Sequence, residues 1–186
     1  MFILASKSPR RKELMKDICP SFSIVVSDID ESKSCYLPPL EAVIDIAHRK
    51  GEAVFNDYPN DIVISADTIV VIDNTIIGKP KNKDDAKRIL KLLSGRVHHV
   101  ITAYSIFSNT KIIQNHVISE VQFSKLAEEL IDAYIATGSP MDKAGAYGIQ
   151  DNEKFHIIDS IKGSYTNIVG FPVEQIKSDL KSNHLL

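Results

Sequence analysis

The sequence predicts an α/β protein built on a mixed twisted sheet with flanking helices. Three observations carry that prediction. Apolar, β-rich runs alternate with amphipathic segments along the 186 residues, the pattern of strands and helices taken in turn. Several of the helical segments begin and end on residues suited to capping. Two long runs, 97–107 and 111–123, join through Ser108-Asn109-Thr110 and read as an antiparallel hairpin, so the sheet is not purely parallel.

Taken in order, Phe2–Ala5 reads as a short buried strand. Ser8 is a natural N-cap, and Pro9 suits the first helical position, where its missing N–H costs nothing, so a helix is expected over 9–18. Arg10, Arg11 and Lys12 fill its first turn, beside the positive end of the helix dipole. Each cation there gives up roughly a few tenths of a kcal/mol unless an anion meets it. A strand, a Ser-rich turn and a helix start carrying two guanidiniums make a phosphate receptor. An ordinary basic, solvated helix start is the plainer alternative. A strand at 22–27 and the polar loop with Asp30-Glu31 follow.

A helix at 38–56 has the apolar stripe Leu40, Val43, Ile44, Ala47 and Val54. Lys50 falls on that stripe, where a lysine either snorkels to the edge or serves an anion. The strand at 61–72 carries Asp67 and Thr68 inside an otherwise apolar run. A carboxylate there must be neutralised, paired or metal-bound, unless a bulge lifts it into water. A turn at Asp73-Asn74 precedes Lys79-Pro80. The helix at 83–94 has Asn82 as cap, Asp84 and Asp85 at its positive end, Ile89, Leu90 and Leu93 as its buried stripe and Gly95 beyond its end. His98 and His99 read as decoration of a polar strand edge, pointing to opposite faces.

After the hairpin, a helix at 125–137 is bounded by Ser124 and by Gly138-Ser139-Pro140. The loop 142–151 follows, with two glycines that permit close backbone approach and with Gln150, whose amide suits a nucleobase edge. Strands at 155–161 and 164–169, a helix at 173–182 and a frayed tail complete the chain.

The length suits one domain, 1–186, or one domain of two lobes. A net charge of −2 and a pI near 6.3 argue against bulk nucleic-acid binding, which needs a basic face. No apolar run approaches the ~18 residues that span a bilayer, so no membrane role is expected. Cys19 and Cys35, the only two cysteines, stand without CxxC or Cys/His spacing and read as reduced, partly buried thiols. No charged n-region or cleavage site opens the chain, and a cytoplasmic protein is expected. P-loop, GxGxxG, HExxH and GxSxG signatures are all missing.

Seen together, Leu4–Arg11, Asp30-Glu31, Ala47–Lys50, Ser65–Thr68, Gly78–Pro80, Ser94–His98 with Thr102, Asp142–Gln150, and Gly163–Tyr165 with Val169–Pro172 resemble the Maf family of nucleoside triphosphate pyrophosphatases. The pieces stand in family order over nearly the whole chain. The resemblance implies a Maf/ITPase-like fold with two lobes around a deep cleft, and a cytoplasmic homodimer that cleans modified or surplus nucleotides. It implies hydrolysis of a nucleoside triphosphate between the α- and β-phosphates, with a divalent cation, Mg²⁺ or Mn²⁺, as cofactor. By motif position Ser6, Arg10, Arg11, Lys50 and Lys79 handle the triphosphate, while Glu31 and Asp67 hold the metal, Asp67 also taking the proton of water. Arg10, Thr68 and Gln150 match the branch that prefers dTTP and UTP, where the 7-methyl-GTP branch would carry tryptophan, glutamine and glutamate. Gly51 departs from the usual alanine, a helix penalty of about 1 kcal/mol, and Phe171 from the usual leucine. From another class, the alternative is a non-catalytic, nucleotide-sensing regulator of septation.

Overall fold

The computed structural model describes residues 1–186. Its strands are β1 (Phe2–Leu4), β2 (Phe22–Ile24), β3 (Ile62–Ile72), β4 (Thr75–Ile77), β5 (Val97–Phe107), β6 (Ile112–Phe123) and β7 (Ile158–Lys162). The helices are α1 (Pro9–Ile18), α2 (Pro39–Asp57), α3 (Lys83–Leu93), α4 (Glu128–Ala136), α5 (Asn152–Phe155), α6 (Tyr165–Val169) and α7 (Val173–Ser182). All seven strands join one sheet in the order β2-β1-β3-β5-β6-β7, with β4 on β3. β1 runs parallel to β2 and β3, whereas β3–β4 and β6–β7 are antiparallel, so the mixed sheet expected from sequence is present. The chain forms two compact units, Met1–Thr68 with Ile101–Val117 and Thr166–Leu186, and Ile69–Val100 with Ile118–Tyr165.

In the first unit the period of two along β1 and β3 sorts side chains onto two faces. Leu4, Ile64 and Ala66 join Met15 and Ile18 of α1, Tyr104, Phe171, and Ile176 and Leu180 of α7 in one core cluster. Ile3, Ala5 and Val63 turn the other way, against Val54 of α2 and Phe107. Residue 67 therefore belongs to the α2 face and residue 68 to the α1 face. Ser8 caps α1 by accepting from the Arg11 N–H at 3.4 Å, with Pro9 leading the helix as its fixed φ favours.

Gly51 is a packing requirement of α2. A Cβ at this position would sit 2.4 Å from Cε2 of Phe107 and 2.5 Å from Oγ of Ser65. That Ser65 hydroxyl is itself held, donating to the Ala47 carbonyl at 2.7 Å. Gly51→Ala is therefore expected to destabilise by about 1–3 kcal/mol, although helix propensity alone would favour alanine by about 1 kcal/mol. A thermal melt decides between the two: a lowered Tm supports the packing account, and a raised one refutes it.

In the second unit, Asp73 (φ 48°) and Asn74 (φ 61°) turn β3 into β4, a strand the sequence reading did not expect beyond the turn itself. α3 has its expected start, with Asn82 accepting from Asp85 N–H at 2.8 Å, and buries Ala86, Ile89, Leu90 and Leu93. His98 and His99 do face opposite ways, but His98 is fully buried, so the polar-edge reading fails for it. Its Nε2 lies 2.7 Å from the Tyr147 hydroxyl, and its ring stacks edge-on to Phe123 and Tyr147. Burial, and less so the neighbouring His99, pushes its pKa down from 6.5 to about 4. The unfolded chain thus binds the extra proton first, so stability is expected to fall progressively between about pH 6.5 and about pH 4. The full loss is on the order of 3 kcal/mol. Denaturant unfolding of wild type and His98→Gln across this range checks it: the curves converge on acidification if His98 is responsible, and stay parallel if it is not.

Several expected boundaries shift for local reasons. The strand expected at 164–169 is instead α6, because β-propensity over five residues yields to tertiary context. α4 starts at Glu128, not near 125. There the Ser124 hydroxyl donates to Asp159, and Leu126 N–H donates to Ser94 Oγ at 2.8 Å, which holds the segment out of the helix. β7 begins at Ile158, since α5 occupies Asn152–Phe155 and ends on His156 in the left-handed region. β2 stops at Ile24, where its register with β1 ends. The tail is not frayed: Leu185 N–H donates to Leu180 at 2.9 Å, and Leu185 packs on the first core cluster. Both cysteines are free as expected, but Cys35 is exposed and only Cys19 half-buried. No helix is long and apolar enough to cross a membrane.

Candidate active site

Asp67 follows Ile62–Ala66 along β3 and, by strand alternation, faces α2 together with Val63 and Ser65. Lys50 leaves α2 on the buried stripe, three residues after Ala47, and meets it. The Lys50 ammonium lies 2.8 Å from Asp67 Oδ1 and 2.8 Å from Glu31 Oε1. Asp67 and Lys50 are largely covered, with side chains 14% and 17% exposed, while Glu31 is open at 57%. The expectation that Asp67 must be paired is met, and Lys50 serves two carboxylates.

Glu31 stands at the start of a 3₁₀ turn, Glu31–Ser34, capped by Asp30, whose Oδ1 accepts from the Ser32 N–H at 3.0 Å. The Ser32 hydroxyl and N–H hold the Asp30 carboxyl below its usual range. Arg49, beside Lys50 on α2, pins this turn: it donates to the Asp30 carbonyl at 2.9 Å, to Asp45 Oδ2 at 2.8 Å and to Ser34 Oγ at 2.5 Å. The buried Ser34 hydroxyl in turn donates to Asp45 at 2.7 Å and, with Arg49, lowers the Asp45 pKa. One helix therefore fixes both Lys50 and the turn carrying Glu31. From sequence Arg49 and Asp45 look like an ordinary surface pair four residues apart, so their part in the site was missed.

On the opposite face Thr68 meets Arg11. The Arg11 guanidinium donates from Nε to the Gly170 carbonyl and from Nη1 to the Ala66 carbonyl, both at 2.8 Å. Nη2 donates to Thr68 Oγ1 at 2.9 Å, and a longer bond of 3.4 Å joins Nη1 to Ser6 Oγ. Thr68 Oγ1 is 3.0 Å from Thr102 Oγ1, whose own proton goes to the Asn167 carbonyl at 3.0 Å. Thr68 accepts from Arg11, and its own proton has two acceptors in reach, Thr102 Oγ1 at 3.0 Å and the Gly170 carbonyl at 3.4 Å, while Thr102 gives to Asn167. Gly170 adopts φ +116°, and a Cβ there would approach Thr68 Oγ1 to 3.2 Å, so a side chain would strain the very carbonyl that Arg11 uses. Burial lowers the Arg11 pKa, Asp67 and Glu31 raise it, and Arg10 lowers it, so the guanidinium lies within the field of both carboxylates. Most of its donors are committed to the protein, which makes Arg11 a fixed positive charge more than a mobile clamp. Ser6 is buried, and Arg10 is half-buried in the first turn of α1.

Lys79 and Gln150 belong to the second unit. Lys79 is exposed beside the buried Pro80. The Gly78 carbonyl accepts from Gly145 N–H at 3.1 Å, which ties the Lys79 loop to the loop ending in Gln150. Gln150 is exposed and lines a hollow of about 390 Å³ with Ile149, His156, Ile158 and Tyr165.

Glu31 and Asp67 form the donor set a divalent cation would use. Two carboxylates meeting one cation suit a hard, oxygen-seeking ion whose remaining ligands are water and phosphate oxygens. No cluster of three acidic, histidine or cysteine ligands is present. The Lys50 ammonium stands between the two carboxylates, 2.8 Å from each.

The family model described as "Maf-like protein" matches residues 1–183. A dTTP/UTP pyrophosphatase of Alkaliphilus metalliredigens is 48% identical over 174 residues, 92% of this chain and 90% of that protein. A dTTP/UTP pyrophosphatase of Bacillus mycoides is 43% identical over 179 residues, 96% of this chain and 93% of that protein. Among solved structures, a HAM1 protein from Coxiella burnetii superposes with a TM-score of 0.55 at 14% identity, covering 97% of this chain and 98% of that one. The Staphylococcus aureus Ham1 protein gives 0.51 at 12%, covering 98% of each chain. These two share the fold.

Proposed function

The chain belongs to the Maf-like protein family, and from that membership and the geometry above we propose that it hydrolyses dTTP and UTP to the nucleoside monophosphate and pyrophosphate. One observation carries the chemistry: a largely covered lysine bridging Asp67 and Glu31 at 2.8 Å each, in the field of the fixed charge of Arg11. With a divalent cation on the two carboxylates such a cluster would be net positive toward a polyphosphate, with Asp67 positioned to take a proton from water. The pyrimidine preference rests on the relatives' names and on Arg10, Thr68 and Gln150.

In this reading Glu31 and Asp67 would hold the divalent cation, which when bound would neutralise charge at the phosphate oxygens and lower the pKa of water. Asp67 accepts the proton of the water attacking the α-phosphorus. Lys50, released from its carboxylates by the arriving phosphates, and Lys79 stabilise charge on the departing pyrophosphate. Ser6, Arg10 and the start of α1 bind phosphate oxygens, and Arg11 stiffens that corner. Gln150 reads the base edge. No covalent intermediate is involved, since no nucleophile–base pair stands in the site. The enzyme acts in the cytoplasm, as one catalytic domain per subunit of a homodimer.

Turnover over a panel of ordinary, methylated and deaminated triphosphates, with Mg²⁺, with Mn²⁺ and with chelator, tests this. The expected result is metal-dependent pyrophosphate release, fastest with pyrimidine triphosphates. Binding without turnover across the panel would overturn it in favour of a nucleotide sensor.

A further inference from the structure

We infer that Tyr134 is a specificity-positioning residue: its hydroxyl clamps the loop segment that presents Gln150. The inference rests on the base-reading role of Gln150 and adds the residue that holds it in place.

Gln150 sits in the 3₁₀ turn Ile149–Asp151, and the residues on either side of that side chain converge on a single oxygen. Gly148 N–H donates to the Tyr134 hydroxyl at 3.1 Å, and that hydroxyl donates to Asp151 Oδ2 at 2.6 Å. Donor and acceptor capacity of the phenol are both used, one on each flank of Gln150. Tyr134 itself cannot drift: it projects from α4, is fully buried, and its ring packs on Phe155 at 4.9 Å between centroids. The same Asp151 oxygen accepts from Ser139 Oγ at 2.7 Å, and Lys143 Nζ donates to the Ser139 carbonyl at 2.5 Å, so the clamp is anchored behind as well. Burial, with the Asp151 bond, raises the Tyr134 pKa, which keeps the phenol proton on the bond it makes to Asp151. Gln150 is exposed along the hollow. An exposed reader on a 3₁₀ turn is only as selective as the backbone beneath it is rigid.

The test is a double-mutant cycle on the full chain with Tyr134→Phe, Gln150→Ala and both, measured as kcat/KM for dTTP and for a purine triphosphate. Tyr134→Phe keeps the ring and its packing and removes only the clamp. The expected result is a loss of roughly tenfold in pyrimidine-over-purine selectivity, carried by KM more than by kcat, with inhibition by pyrophosphate unchanged. In the Gln150→Ala background the same change is expected to alter selectivity less than twofold. Asp151→Asn, which acts at the other end of the clamp, is expected to shift selectivity in the same direction even if Tyr134→Phe lowers the yield of folded protein. Additive losses in the cycle, or unchanged selectivity in a well-folded Tyr134→Phe while Gln150→Ala loses it, would overturn the clamp and leave Gln150 as the reader. No selectivity loss in Gln150→Ala would overturn the base-reading role itself, and the clamp's function with it.

Discussion

Asp67→Asn is expected to fold with a melting temperature close to wild type and to turn over at least about a thousandfold more slowly, the upper range for losing a positioned proton acceptor. The substitution keeps shape and one oxygen toward Lys50, which retains its contact with Glu31 at 2.8 Å. What it removes is the charge that pairs with Lys50 and that, in the proposed reaction, holds a cation and takes a proton. These three roles converge on one side chain because β3 delivers it to the α2 face, 14% exposed, within reach of both water and the ammonium. Steady-state kinetics beside a thermal melt make the check. A variant that keeps most of its kcat would remove Asp67 from the chemistry.

Lys50→Met is expected to move two observables in opposite directions. Turnover falls on the order of a hundredfold or more if, as proposed, Lys50 stabilises the leaving pyrophosphate. Divalent binding by the nucleotide-free protein strengthens, because the ammonium that now stands between Glu31 and Asp67 competes for the same oxygens. Without a cation the two carboxylates face each other in a half-covered site, so the variant's Tm drops. Added Mn²⁺ then raises Tm by more than it does in wild type, as binding to the folded state alone requires. Titration of Mn²⁺ by its paramagnetic signal, together with melts, reads both. Equal or weaker Mn²⁺ binding in Lys50→Met would show that the lysine does not occupy the cation's place.

Sequence pattern was informative where a residue contradicts its surroundings. Asp67 is a carboxylate within an apolar strand, Lys50 a cation on the buried stripe of a helix, and Arg10 and Arg11 are cations at the wrong end of a dipole. For Asp67, Lys50 and Arg11 the conflict marked a group that the folded chain gives a partner. The hidden parts of the site are those that pattern cannot express. Thr68 adjoins Asp67 in sequence, yet the pleat sends neighbours to opposite faces, and its hydroxyl meets Arg11 and Thr102, contacts that pattern alone does not show. The Gly170 carbonyl that anchors Arg11 is backbone and carries no side-chain signal. Arg49 and Tyr134 act through the chain segments they hold, Asp30–Ser34 and Gly148–Asp151, which become neighbours only on folding. Gly51 looked like a weak point of α2 because the ring of Phe107 that requires it lies 56 residues away in sequence.

In the proposed reaction water attacks the α-phosphorus beside Asp67, with pyrophosphate leaving. Hydrolysis of dTTP in ¹⁸O-water, followed by mass analysis of both products, addresses it without any substitution. The label is expected in the thymidine monophosphate, with the pyrophosphate unlabelled. Label in the pyrophosphate, or release of orthophosphate instead, would place the attack on a different phosphorus and contradict the account.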